Sequence, residues 1–258
     1  MTTVDMVTYL INLDGSDERL NKAHQELVRA NINYQRISAV DGRGLDIHNY
    51  EHYDSEQAWH EMGRDLIGAE IGCYLSHKKC LNEFLATDAE YALVLEDDLE
   101  LTSNIADVID QSIAELNVQQ SDWYLMNIAA QKRKFTKPIK QFDKHTLYHA
   151  YYFPMLGLGL LWTRKGAQAF LASVYGQKIF VPVDVAFQSW LCQNGKGLSI
   201  YPPLVVASGM VSDIDGQKDK EPTVEASQSR TSGRYIPRQK RMWRNRLFAL
   251  QHLYFGGK

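Results

Sequence analysis

Residues 4–13 form an apolar, β-branched run that stops at Asp14-Gly15-Ser16, and there the period of the pattern changes. Leu20, Ala23, Leu27 and Ala30 recur at helical spacing behind Ser16 and Asp17, either of which can cap a helix. A second extended stretch, residues 33–40, closes at Asp41-Gly42. Strand, helix and strand in that order restrict the chain severely, because a crossover helix places the two strands parallel in one sheet. The alternation continues. Residues 69–86 read as a helix with Ile71, Leu75, Leu81 and Leu85 toward the core, 91–95 as a short strand, 105–116 as a helix and 123–128 as a strand. Residues 156–163 read as a strand, 165–174 and 185–192 as helices, and 198–206 as a last strand interrupted by Pro202-Pro203. Weak periodicity predicts loop with short helical turns over 44–64, and residues 132–140 read as a basic surface excursion. The expected class is α/β, and 258 residues favour one large domain.

Composition narrows the class further. With 45% hydrophobic and 23% charged residues the chain is neither disordered nor of low complexity. Three cysteines (Cys73, Cys80 and Cys192) without a CxxC pair build neither a disulfide framework nor a structural zinc site, and they suit a reducing compartment. No apolar run reaches the roughly 18 residues of a membrane span, and Asp5 and Asn12 make the first strand a poor signal peptide. A cytosolic protein is expected.

The formal charge of -3 conceals an asymmetry. Residues 228–258 carry eight Lys/Arg and no acid, so residues 1–227 hold the other 20 bases and all 31 acids, a body of -11 with a tail of +8. The expected division is a body over 1–227 and a basic amphipathic tail over 228–258. Residues 238–255 intersperse Trp243, Leu247, Phe248, Tyr254 and Phe255 with Arg and Lys, a pattern that suits a helix lying in an anionic bilayer interface. A terminal helix packed on the domain produces the same pattern. Nucleic acid is not expected as a partner, because the body is acidic and no binding motif is present. From residue 211 onward the composition turns polar and charged, as in a mobile loop.

The sharpest chemical feature is Glu96-Asp97-Asp98 at the carboxyl end of an apolar strand, where α/β sheets place ligands. Residues two apart in extended chain point the same way, so Glu96 and Asp98 can flank one hard cation such as Mg²⁺ or Mn²⁺ while Asp97 points elsewhere. A solvated turn capping the next helix accounts for the same residues. Asp184, in the apolar setting Val181-Pro182-Val183 just before a helix, reads either as a general base or as a helix N-cap. There is no G-x-S-x-G elbow, P-loop or GxGxxG; Gly157-Leu158-Gly159 lacks the third glycine.

Five motifs occur in order: Tyr9-Leu10-Ile11-Asn12-Leu13 with Arg19, Ser38-Ala39-Val40-Asp41-Gly42, Glu70-Ile71-Gly72-Cys73-Tyr74-Leu75-Ser76-His77, Val94-Leu95-Glu96-Asp97-Asp98 and Pro182-Val183-Asp184. Together with residues 159–170 and Ser212-Asp213, the series resembles glycosyltransferase family 25, the bacterial lipooligosaccharide galactosyltransferases and their collagen-modifying relatives. The resemblance implies a GT-A type, Rossmann-like fold and a UDP-sugar donor, usually UDP-galactose. It also implies inverting transfer onto a lipooligosaccharide acceptor, giving a β-linkage. By position, Glu96 and Asp98 would hold a divalent metal (Mn²⁺ or Mg²⁺), and Asp184 would be the base, with Asp213 and Asp215 as rivals. Asn12, Leu13, Arg19, Asp41, Ser76, Asp97 and Asp213 would bind the nucleotide sugar. A glucosyltransferase, or a non-catalytic sugar-nucleotide or lipid-surface binding module, is the alternative. Such an enzyme would work on the cytoplasmic face of the inner membrane, held at the anionic surface by its tail.

Overall fold

The computed structural model describes residues 4–209 and 235–256. In chain order the elements are β1 (Met6–Asn12), α1 (Asp17–Arg29), β2 (Gln35–Ser38), α2 (Ser55–Met62), α3 (Gly68–Leu85), β3 (Tyr91–Glu96), β4 (Leu99–Leu101) and α4 (Ile105–Val118). They continue as β5 (Leu125–Asn127), β6 (Thr136–Phe142), β7 (His145–Ala150), β8 (Gly159–Thr163), α5 (Arg164–Ala172), α6 (Val174–Gln177) and α7 (Val183–Asn194). The last are β9 (Gly197–Tyr201), β10 (Val205–Ala207) and α8 (Tyr235–Phe255). Eight strands form one sheet in the order β2-β1-β3-β8-β5-β9-β7-β6, and β4 pairs with β10 apart from it.

β1 runs parallel to both β2 and β3, as the strand–helix–strand pattern requires, so the first half is Rossmann-like; β8 enters antiparallel and makes the sheet mixed. Both faces are covered, and successive strand residues therefore enter different cores. Tyr9, Ile11, Ala92 and Val94 pack toward α3, α5 and α7. Leu10, Leu93 and Leu95 pack toward α1 and α4. The α/β class is the one expected.

Three local expectations need correction. Residues 136–142 are an edge strand, β6, hairpinned to β7 rather than a loose excursion; one-sided pairing leaves the side chains of Lys137 and Lys140 in solvent, which hides the strand period. The stretch 198–206 divides into β9 and β10, which belong to different sheets, since Pro202 and Pro203 supply no amide hydrogens to a ladder. Within 44–64 lies a capped helix, α2, whose Asp54 carboxylate accepts the Gln57 amide at 2.9 Å and whose helix ends on Gly63 at φ 67°.

The C-terminal helix α8 packs on α7 and α2. Its buried residues are Arg241, Asn245 and Ala249, at four-residue intervals, so the inner face is largely polar. Arg241 donates to the Glu61 carbonyl and contacts the Met62 sulfur, Arg244 forms a two-pronged pair with Glu61 at 2.8 Å, and Asn245 donates to Ser189 Oγ. The tail is thus joined to the body along this helix, and the packed-helix reading holds for that face. Ile236, Trp243, Leu247 and Tyr254 lie on the opposite, exposed side.

Candidate active site

At the carboxyl edge of β1 and β3 the segment 38–42 lies directly on the start of α3. The approach is backbone to backbone: a Cβ at Gly42 would collide with the Gly68 carbonyl, and one at Gly72 with the Val40 carbonyl. Ser76 fastens the contact, its Oγ accepting the Val40 amide at 2.8 Å and donating to the Gly72 carbonyl at 2.7 Å. This packing builds one wall of a cleft of about 140 Å³, whose lining includes Leu13, Arg19, Asp41, Ser76, Asp97 and Asp98. A second cleft, about 490 Å³, is lined among others by Arg64, Glu70, Asp184, Arg238 and Arg241. Glu96 and Cys73 belong to both.

The acidic triplet divides three ways. Asp97 turns inward, accepts from Asn12 Nδ2 at 2.7 Å and pairs with Arg19. Burial still raises its carboxyl above the usual range, against the lowering by Asn12 and Arg19. Glu96 reaches His77, with Oε1 3.0 Å from Nε2. Asp98 is raised to about 6, first by burial and then by the charge of Glu96, with Arg19 3.8 Å away opposing. Its Oδ1 is buried without a hydrogen-bond partner among the described residues. Clustered carboxylates with an orphaned oxygen among them fit a hard divalent cation; Glu96 and Asp98 both line the small cleft, Glu96 beside His77 and Asp98 with Arg19 3.8 Å away.

Asp184 stands in the first turn of α7. Pro182, not Asp184, is the N-cap; the Asp184 Oδ1 accepts the neighbouring Val185 amide at 2.8 Å. Burial pushes its carboxyl up, the Val185 amide pulls it down, and the negative charges of Glu96 and Glu70 push it up again. The half-buried Asp184 carboxyl, raised by its surroundings, lines the large cleft.

Other expected contacts change character. Asn12 is 2% exposed, and its amide oxygen accepts from Arg36 Nε at 2.9 Å while its nitrogen serves Asp97, so it positions the acidic turn and does not reach the cleft. Ser76 is 1% exposed and holds the wall as described. Arg19 lines the small cleft with its guanidinium engaged by Asp97. Asp41 is exposed, and the Arg43 side chain and amide hold its carboxyl down to about 2. Leu13 lines the small cleft. Asp213 and Asp215 lie outside the described residues. Sequence reasoning missed the Arg64–Glu70 pair, at 2.7 and 2.5 Å, and Gly157, where a Cβ would lie 2.7 Å from Glu96 Oε1. The i,i+4 spacing of Cys73 and His77 was the available signal for a third cluster.

These features define an α/β protein with paired clefts meeting at an acidic turn on the carboxyl edge of its sheet. The sequence profile of glycosyltransferase family 25, described as LPS biosynthesis protein, matches residues 6–187. The chain belongs to that family. Procollagen galactosyltransferase 1 of Danio rerio is 30% identical over 183 residues, covering 68% of this chain and 30% of that protein. Inactive glycosyltransferase 25 family member 3 of Mus musculus is 26% identical over 122 residues, 46% of this chain and 21% of that protein. The chain thus spans about a third or less of these relatives. Among solved structures, a Drosophila β-1,4-galactosyltransferase 7 mutant in complex with manganese, UDP-Gal and xylobiose has a TM-score of 0.40 at 12% identity, over 88% of this chain and 80% of that one.

Proposed function

We propose that this chain is an inverting hexosyltransferase that moves galactose from UDP-galactose, as a β-linkage, onto a sugar of a lipooligosaccharide acceptor. The observation that carries the reading is the meeting of two clefts at Glu96, one walled by Leu13, Asp41 and Asp98, the other containing the raised carboxyl of Asp184. The small cleft takes the nucleotide and the large one the acceptor. Glu96 and Asp98 would hold a divalent cation, which offsets the negative charge that develops on the diphosphate leaving group. Asn12 and Arg19 fix Asp97 and with it the turn that carries Asp98. Asp184 Oδ1 is occupied by the Val185 amide, so Oδ2 receives the proton of the acceptor hydroxyl as that oxygen bonds to the sugar C1 and the bond from C1 to UDP breaks. Base catalysis of this kind contributes about 10²–10⁴-fold.

Substitution tests the assignment. Asp184→Asn retains UDP-galactose binding while turnover falls by about 10²–10⁴-fold; weakened donor binding with unchanged turnover of the bound complex places Asp184 in the nucleotide pocket instead. A panel of UDP-sugars with and without Mn²⁺ tests galactose against glucose. The family includes relatives named inactive, which favours a second reading, a sugar-nucleotide-binding module without turnover; binding of a UDP-sugar with no transfer or UDP release across the panel decides for it.

The same proposal places the protein on the cytoplasmic face of an anionic membrane, docked through α8. Its exposed Ile236, Trp243, Leu247 and Tyr254, with Lys240 between them and Arg246 stacked 4.8 Å over Trp243, supports an interfacial helix whose other face is fastened to the body. Among the described residues no helix is long and apolar enough to cross a membrane.

A further inference from the structure

Cys73 and His77 stand four residues apart on α3, so helical geometry turns both to one side. That side faces Glu96. A sulfur from Cys73, a ring nitrogen from His77 and a carboxylate oxygen from Glu96 all lie within 4.8 Å of one another. His77 is 2% exposed, yet its Nδ1 has no hydrogen-bond partner among the described residues. Gly157 stands over the group. A Cβ there would lie 2.7 Å from Glu96 Oε1 and 3.2 Å from His77 Nε2, so the missing side chain keeps the space beside both atoms open.

We propose that Cys73, His77 and Glu96 form a binding site for a borderline-soft divalent cation of the zinc type, which shares only Glu96 with the carboxylate pair Glu96 and Asp98. Sulfur with imidazole selects zinc over magnesium or manganese, and three protein ligands leave a fourth position for water. Ligand atoms around one tetrahedral zinc stand about 3.5 Å apart given its bond lengths. The His77–Glu96 spacing is 3.0 Å, and every pair among the three lies within 4.8 Å. The sulfur–metal bond forms as the Cys73 thiol yields its proton to solvent, one proton per ion bound. Because Glu96 is shared, an ion held here withdraws that carboxylate from the small cleft, and zinc opposes any function that needs Glu96 there. The site itself does not depend on the transfer reading.

Cobalt is the probe, since Co²⁺ bound to a thiolate absorbs in the near ultraviolet and four-coordinate Co²⁺ absorbs strongly in the visible. Added to the full chain without nucleotide, one equivalent of Co²⁺ should produce both features, and Zn²⁺ should abolish them. Cys73→Ser should remove the ultraviolet band and weaken Zn²⁺ binding at least about tenfold, and His77→Gln should weaken it similarly; melting curves without metal verify that both variants fold. Cys80 and Cys192 are fully buried and serve as internal controls. Absence of the band in the unmodified chain overturns the proposal, as does a band that survives Cys73→Ser.

Discussion

Asp98 pays for its position in protons. Unfolded, its carboxyl ionises near 3.8; folded, burial and Glu96 hold the proton until about 6. The native state binds the extra proton between those values, so the residue's contribution to stability is present below pH 3.8 and is lost as pH rises through 6. The shift corresponds to a contribution on the order of 2–3 kcal/mol. Asp98→Asn, which stays neutral, should therefore melt higher than the unmodified metal-free protein at pH 7.5 and equally at pH 3.5; equal melting at both values refutes the account. Asn12 is the other decisive residue, because its amide links Arg36 to the buried Asp97. Asn12→Ala takes one hydrogen bond from the buried Asp97, which keeps Arg19, and should lower stability by about 1–2 kcal/mol in a denaturant titration, with UDP-sugar binding, on the proposed function, weakened alongside.

At the scale of elements, α8 shows what pattern reading can and cannot see. The mixture of Arg, Trp, Leu and Phe announced a helix with two faces, but apolar residues are not its inner face. Arg241 and Asn245 are buried because the Glu61 carbonyl and Ser189 receive them, and those partners lie 180 and 56 residues away in sequence. No local period encodes such pairings. The same limit applies to β6, where an edge strand alternates too weakly, and to Ser76, whose motif suggested ligand contact while its hydroxyl serves Val40 and Gly72. What was legible is local: apolar runs for β1 and β3, helical spacing for α1 and α4, and the acidic turn between strands. Glu61→Gln should lower stability by about 1–2 kcal/mol, the pair being tempered by an Arg244 that is 40% exposed. Deleting residues 235–258 should lower the melting temperature and impair catalysis, since Arg238 and Arg241 line the large cleft; an unchanged melting curve shows the helix to be dispensable.

For the whole molecule, the proposed membrane docking and the stability belong to opposite faces of α8. Trp243→Glu with Leu247→Glu alters only exposed side chains, so stability should change by less than about 0.5 kcal/mol per site. Co-sedimentation with anionic vesicles should fall sharply, and for the unmodified protein it should weaken as salt rises; retained sedimentation of the double variant rejects the membrane reading. Glu96 carries another consequence, because it belongs to both clefts. A ligand that neutralises or moves it on one side alters affinity on the other, and equilibrium requires the factor to be the same in both directions. On the proposed function, the nucleotide dissociation constant shifts on saturation with acceptor sugar by the same ratio as the acceptor constant shifts on saturation with nucleotide. One shared side chain is enough to make occupants of the two clefts help or hinder each other.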